Sequence, residues 1–315
     1  MRRLRTPLII LGIVLALLAV TPYLIPLQNA DIPPQDLADP EGEFVDVDGV
    51  SLYVRQTGPE DGVPVLMLHG LLGTTEVWRY NRDALAAAGY RVIAYDRPGG
   101  GLSDKRWSLD YTQGAQAALA WRLLDELGVG DAVLLSHSAG AKILTQMVMQ
   151  QPDRIRGLVL VAPAIEEGGS PPGIDLLLRL PPVTRWMQVA LHVIFSEAGV
   201  RSTIAGVHAD PSFLTEDDYA VYLRGLQTPG WDTGFLALTR DSGRGQAKVA
   251  DLADVTIPAL IVHGVLDPVI PIETGRQVAD TLVNSTLIEY PEIGHQPMEE
   301  AAARFNADVI AWLTR

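Results

Sequence analysis

The chain has 315 residues, 48% of them hydrophobic and 20% charged, with a formal charge of −14 and no cysteine. That balance is globular rather than disordered, and the length fits one catalytic core with an insertion or two small domains. The missing thiols exclude disulfides, cysteine nucleophiles and zinc–thiolate sites, and the acidity argues against nucleic acid or a polyanion as partner.

The N-terminus is a separate object. "MRRLR" precedes the uncharged "TPLIILGIVLALLAVTPYLIPLQNA", residues 6–30. An apolar stretch near twenty residues is enough to cross a bilayer. Arg2, Arg3 and Arg5 on one flank, against Asp31, Asp36, Asp39 and Glu41 on the other, predict the N-terminus inside and the body on the extracytoplasmic side. The stretch is long for a signal peptide, and Gln28 is a poor −3 residue for a cut after Ala30. Residues 1–30 therefore read as a retained membrane anchor; cleavage would instead give an exported soluble protein. "DIPPQDLADPEG", residues 31–42, reads as a Pro-rich linker.

The body follows as alternating elements. "EFVDVDG" and "SLYVRQTG" predict a hairpin turning at Asp48-Gly49. "VPVLMLHG", residues 63–70, is a continuous apolar run of the kind a buried parallel strand shows. A helix over about 76–88 comes next, then the strand "RVIAYD", the helix "GAQAALAWRLLDELGVG", the strand "DAVLLS", the helix "AGAKILTQMVMQQ" and the strand "RIRGLVLVAPA". Residues 166–250 hold no convincing β-run; "GIDLLLRL", "TRWMQVALHVIF", "LTEDDYAVYLRGL" and "GFLALTRD" read as short helices. Alternation resumes with "PALIVHG", "ETGRQVADTLV", "STLIEYP" and "MEEAAARFNADVIAWLTR". The pattern predicts a parallel sheet covered on both faces, with a core of residues 43–165 and 251–315 and a helical cap at 166–250.

Ligands of such sheets bind outside the carboxyl ends of the strands. Those ends carry His69-Gly70, then "SHSAG", then Asp267 in "HGVLDPVIP", then His295 in "PEIGHQP". Ser, Asp and His in that order, each at a strand end, can build a charge-supported nucleophile. Five motifs, "HGLLG", "YDRPGGGLSD", "SHSAG", "GVLDPVIP" and "GHQP", stand in register over about residues 43–315. On these the chain resembles the α/β-hydrolases, in particular the capped branch of esterases, monoacylglycerol lipases, epoxide hydrolases and C–C bond hydrolases. The resemblance implies an eight-stranded, mostly parallel sheet with the cap between strands 6 and 7. It implies Ser138 as nucleophile, Asp267 as acid and His295 as base, with no metal and no organic cofactor.

Physical roles support these assignments. A serine hydroxyl needs a base within hydrogen-bond reach; His295 would take its proton and return it, and Asp267 would fix the tautomer of His295 and stabilise its cation. Glu292 and Asp96 are the reserve acids, with Asp96 better placed to tether "DRPGGG". His263 reads as a packed histidine, and His192 and His208 as cap residues outside the chemistry. The serine motif lacks the usual first glycine, since Ser136 stands there. Side chains two positions either side of an elbow nucleophile must be small. Ser138 has Ser136 and Gly140 as these neighbours, whereas Ser136 would have Leu134, so Ser138 is the consistent choice. Ala139 would supply one oxyanion N–H, and Leu71 is the family-matched second donor, with His69 bracing its loop.

These features predict a serine hydrolase cleaving neutral, apolar small-molecule carboxylic esters through an acyl-enzyme. The alternatives are a C–C bond hydrolase of ring-cleavage products, a cofactor-free perhydrolase and, outside catalysis, a membrane-tethered binding protein on a hydrolase scaffold. "SAGA" at the elbow weighs against the C–C hydrolases, which tend to carry Ser-Met-Gly-Gly there. A serine nucleophile weighs against epoxide hydrolase and dehalogenase chemistry.

Overall fold

The computed structural model describes residues 5–27 and 30–315; Arg2 and Arg3 of the expected inner flank, and Gln28 at the expected cleavage site, lie outside them. Eight strands form one sheet in the order β1-β2-β4-β3-β5-β6-β7-β8. They are β1 (Gly42–Val47), β2 (Val50–Thr57), β3 (Val63–Leu68), β4 (Tyr90–Tyr95), β5 (Ala132–His137), β6 (Ile155–Val161), β7 (Ala259–Gly264) and β8 (Ser285–Tyr290). β1 pairs antiparallel with β2, and β2 with β4; every other neighbour is parallel. Asp48 and Gly49 turn the first hairpin at φ 51° and 77°, the left-handed pair that matches the twist of flanking strands.

The helices are α1 (Arg5–Leu24), α2 (Arg82–Ala87), α3 (Gln113–Glu126), α4 (Gly140–Gln150), α5 (Ile174–Leu177), α6 (Pro181–Ile194), α7 (Glu197–Val207), α8 (Glu216–Arg224), α9 (Trp231–Asp241), α10 (Ile272–Thr281), α11 (Pro297–Glu300) and α12 (Ala302–Leu313). The central strands alternate between two apolar cores. Leu66, Leu68, Ile93, Tyr95 and Leu134 face a cluster with α3, α4 and α10. Val65, Met67, Val92, Ala94, Val133 and Leu135 face the opposite cluster with Trp78, Phe305 and Val309. Side chains alternate across a strand, so burial on both faces is what makes these strands read as unbroken apolar runs.

Helices α5 to α9 lie between β6 and β7, where the sequence shows a break in the strand rhythm. α7 carries no apolar stripe clear enough to be read in advance; its local signal is Ser196, whose side chain accepts from Gly199 N–H as an N-cap. Two expected helices are interrupted. The one over 76–88 is a 3₁₀ turn at Thr75–Trp78 followed by α2. The last one breaks at Ala301, whose φ of −131° and ψ of 42° are not helical, separating α11 from α12. The expected linker is fastened to the body: Ile32 N–H donates to Gln227 O at 3.2 Å, and Arg55 pairs with Asp39 and Glu41, both at 2.9 Å.

The described residues do not show the spanning anchor expected at the N-terminus. Among the described residues no helix is long and apolar enough to cross a membrane. α1 is helical and leaves Ile9, Ile13, Leu17 and Leu24 exposed, but its last turns are engaged by the cap. Pro22 has no N–H to offer the Leu18 carbonyl, and the Trp186 indole N–H of α6 donates to that oxygen instead at 2.8 Å. Arg185 of α6 donates to Pro22 O and Ile25 O at 3.2 and 3.0 Å. The part ahead of these contacts, residues 5–17, reaches only about 20 Å at 1.5 Å per residue, short of the ~30 Å hydrocarbon core.

Candidate active site

The carboxyl ends of β3, β5, β7 and β8 bring the sequence motifs together. Ser138 follows β5 with φ at 50°, a left-handed backbone that a non-glycine residue adopts only under constraint. The constraint is the approach of α4 to β3. A Cβ at Gly140 would lie 2.5 Å from Leu68 O and 2.9 Å from His69 O, both backbone atoms, and one at Gly70 would lie 3.0 Å from Ser138 Cβ. Glycine at these positions lets the elbow close. Ser136, where a third glycine is common, is fully buried and its hydroxyl has no partner. It is accommodated as a small residue and contributes no hydrogen bond.

His295 Nδ1 donates to Asp267 Oδ2 at 2.7 Å. That fixes the neutral tautomer, leaving Nε2 bare to accept a proton. Asp267 Oδ1 accepts Val269 N–H and Ile270 N–H, both at 2.8 Å. His263 stands 3.3 Å from the same Oδ2 through Nε2, which also bonds Ile270 O at 3.0 Å. Burial raises the Asp267 carboxyl's proton affinity, but the hydrogen bonds from His263 and His295 outweigh it and hold the group well below the usual carboxylate range. His263 is thus more than a packed histidine: it is a second imidazole on the same acid. Glu292 is exposed and Asp96 bonds Thr75 N–H and Leu102 N–H at 2.6 and 2.7 Å, so neither reserve acid takes that place. Among the described residues Ser138 Oγ makes no hydrogen bond to His295, although both line one cavity; such contacts are often long before substrate binds.

The Leu71 and Ala139 N–H groups are engaged by no other described residue and border the same cavity. Their loop is held by His69, whose Nδ1 donates to Gly70 O at 2.7 Å while Nε2 accepts Arg97 N–H at 2.9 Å. Burial first, and the Arg97 charge second, push the His69 pKa down to about 3, so the ring stays neutral and its two bonds keep their sense. His137, the residue between the two serines, was a bystander in the sequence. Its Nε2 donates to His295 O at 2.9 Å and its ring lies 4.7 Å from that of His295, tying the elbow to the histidine loop. Burial, then His295, push its pKa down to about 3.

The cap grips that loop as well. His295 N–H donates to Val207 O of α7 at 2.9 Å. Glu300 accepts Gly294 N–H and Gln296 N–H from the loop and Ala209 N–H from the cap. Glu299, fully buried, pairs with Arg79 at 2.8 Å and lies 3.5 Å from His208 Nε2. Arg79 also bonds Asp218 of α8 at 2.7 Å, and Tyr222 of α8 donates to Glu299 at 2.7 Å. None of this was legible: the sequence marks "MEEAAARFNADVIAWLTR" only as a helix. His192 lies 3.3 Å from Asp232 within the cap and does not border the cavity that Ser138 and His295 share. That cavity, ≈ 390 Å³, is bordered by Ser138, His295, Leu71 and Ala139 from the core and by Thr203, Ile204 and Val207 from α7. Among the described residues no group of three or more His, Asp or Glu side chains could hold a metal ion.

The chain matches the alpha/beta hydrolase fold family over residues 63–302 and belongs to it. Its relatives include the non-heme chloroperoxidase of Streptomyces lividans, 26% identical over 86% of this chain and 99% of that protein. Another is a 2-hydroxy-6-oxononadienedioate/2-hydroxy-6-oxononatrienedioate hydrolase of Burkholderia vietnamiensis, 27% identical over 85% of this chain and 93% of the relative. The crystal structure of the enol-lactonase from Burkholderia xenovorans shares the fold with a TM-score of 0.70 at 19% identity, covering 87% of this chain and all of that one. The chain shares with these relatives the fold of the alpha/beta hydrolase family.

Two outcomes follow from this geometry. Ser136→Ala removes a buried hydroxyl without a partner and should raise unfolding stability by about 1 kcal/mol in urea titration, with activity kept within about twofold. The His208 imidazole is buried, which disfavours its charge, yet the nearby Glu299 carboxylate and the bond to Ile204 O outweigh this and raise its pKa above the ordinary value, Glu300 adding to the effect. A raised pKa gives a stabilisation that is complete below the unfolded value, about 6.5, and lost as pH rises through the folded value. Thermal melts of wild type and His208→Gln should therefore differ most in acid and converge as pH rises, with Arg79 and Asp218 charged throughout that range.

Proposed function

We propose that the protein is a serine hydrolase cleaving carboxylic esters with an apolar portion, through an acyl-enzyme on Ser138. The observation that carries this reading is the His295–Asp267 bond of 2.7 Å beside a serine held at positive φ and two disengaged N–H groups. His295 Nε2 takes the Ser138 proton as Oγ bonds to the ester carbonyl carbon. The carbonyl oxygen becomes an oxyanion facing Leu71 N–H and Ala139 N–H. The intermediate collapses by breaking the C–O bond to the alcohol, which leaves with the proton from His295. Water then attacks the acyl-enzyme by the same route in reverse, and Ser138 regains its proton. Asp267, kept ionised, balances the His295 cation in both halves.

The relative from Burkholderia vietnamiensis is named for a hydrolase of an oxo-dienedioate, and the same three side chains could serve C–C cleavage. A p-nitrophenyl ester series separates the two. Wild type should turn these esters over, Ser138→Ala should lose at least about 10³-fold in kcat, and a fluorophosphonate should label Ser138. Labelling without turnover of any ester would favour C–C chemistry; neither labelling nor turnover by folded protein would overturn both.

We also infer that α1, apolar and exposed along most of its length, associates with a membrane and tethers the catalytic body to it. Deleting residues 1–30 should move the protein from the membrane fraction to the supernatant with esterase activity retained. An unchanged distribution would overturn the tether.

A further inference from the structure

The catalytic cavity has a neighbour. A second lobe of ≈ 280 Å³ shares Leu71, Ala139, Glu167 and Gly168 with it and is walled in part by Phe235 and Leu238 of α9. Its chemistry differs from the apolar side of the site. Arg97, 6% exposed, borders it. The guanidinium donates through Nη1 to His69 O at 3.0 Å. Nε is buried with no partner, and Nη2 bonds no described residue. No carboxylate among the described residues pairs with Arg97, although the other two buried arginines among them, Arg55 and Arg82, both lie against acids.

A buried arginine stays protonated, and a buried cation without a counter-charge is destabilising. In a protein of net charge −14, an unpaired internal cation beside the active site is a departure from the general pattern. Lys142, in the first turn of α4, borders the same lobe and donates to a neutral partner, the Glu167 carbonyl, at 2.5 Å. Glu167 brings the lobe's one acidic side chain; its Oε1 accepts from Thr274 and its Oε2 is buried and unpartnered. Two cations against one anion leave the lobe positive, and the excess sits on Arg97.

We propose that this lobe is a subsite for a carboxylate carried on the acyl part of the substrate, with Arg97 as its main receptor and Lys142 as the second. The inference rests on the ester reading above. The acyl part is indicated by geometry: the leaving alcohol must stay within reach of His295, which borders the catalytic cavity and not this lobe. A guanidinium whose Nη1 is taken by His69 O and whose Nη2 bonds no described residue can donate a charge-assisted hydrogen bond from Nη2 to a carboxylate. The substrate would then be a half-ester of a dicarboxylic acid, or a lactone-derived acyl group ending in an acid, rather than a plain fatty ester.

The test pairs p-nitrophenyl adipate, charged at its far end, with p-nitrophenyl hexanoate, its neutral counterpart. Wild type should show kcat/KM at least tenfold higher for the charged ester, and this ratio should fall with added salt. Ser138→Ala, which cannot turn either over, should bind the charged ester at least tenfold tighter in calorimetry. Arg97→Gln in that background should abolish the difference, and Lys142→Met, more exposed and less bound up with the fold, should reduce it. Equal or better binding of the neutral ester overturns the subsite. Tighter binding of the charged ester with no turnover by wild type supports the subsite and overturns the ester reading alone.

Discussion

The close approach of α4 to the end of β3 is the constraint on which the site depends. Gly140 has no room for a Cβ against the Leu68 and His69 carbonyls, so the first turn of α4 sits directly on the strand end. The chain can reach that point from β5 only through a left-handed residue, and that residue is Ser138. The same contact sets Ala139 N–H beside the loop that carries Leu71 N–H. One steric condition thus presents the hydroxyl and strains its backbone. In this light the serine at 136 is tolerable: β5 asks for something small there, and an unpartnered hydroxyl is a modest cost beside the packing that surrounds it.

The histidine side of the site is held differently. His295 is on a loop, and loops drift unless their backbone groups are engaged. Here they are engaged from two directions. His137 reaches the His295 carbonyl from the elbow, while Val207 O and the Glu300 carboxylate take N–H groups from the cap side. The buried ion network of Arg79, Asp218, Glu299 and His208 joins cap to core directly behind this loop. The helices between β6 and β7 therefore do more than cover the cavity: they share in fixing the position of His295. A charge network of this kind contributes less to net stability than to a single arrangement of the parts it joins.

Much of this was legible in the sequence, for identifiable reasons. Strands buried on both faces announce themselves as apolar runs, and the residues that end them, Ser138, Asp267 and His295, fall where a parallel sheet presents chemistry. Gly140 and Gly70 were visible because backbone approach leaves no alternative residue. The cap was visible as a missing β-rhythm, but α7 was not, since its Gly, Thr and Val residues blur the helical period. Glu299 and Glu300 were hidden because a carboxylate facing inward and one facing water look the same until the helix breaks at Ala301. His263 gave no sign of its contact with Asp267, because the turn that folds Asp267 back over it is set by hydrogen bonds to Val269 and Ile270. The N-terminal stretch was read by hydropathy, flanking charge and cleavage-site residues, none of which says which of its carbonyls another helix will claim.

That last point has a mechanical reading. Proline at position 22 removes one amide from the helical ladder, and the carbonyl so released becomes a fixed attachment point for Trp186, with Arg185 fastening the helix end one turn further on. A helix joined to the body by a peptide linker alone would swivel freely. One pinned at three carbonyls acts instead as a lever arm on the cap. The orientation of α1 is thereby coupled to that of α6, and a tilt of the one becomes a torque on the other.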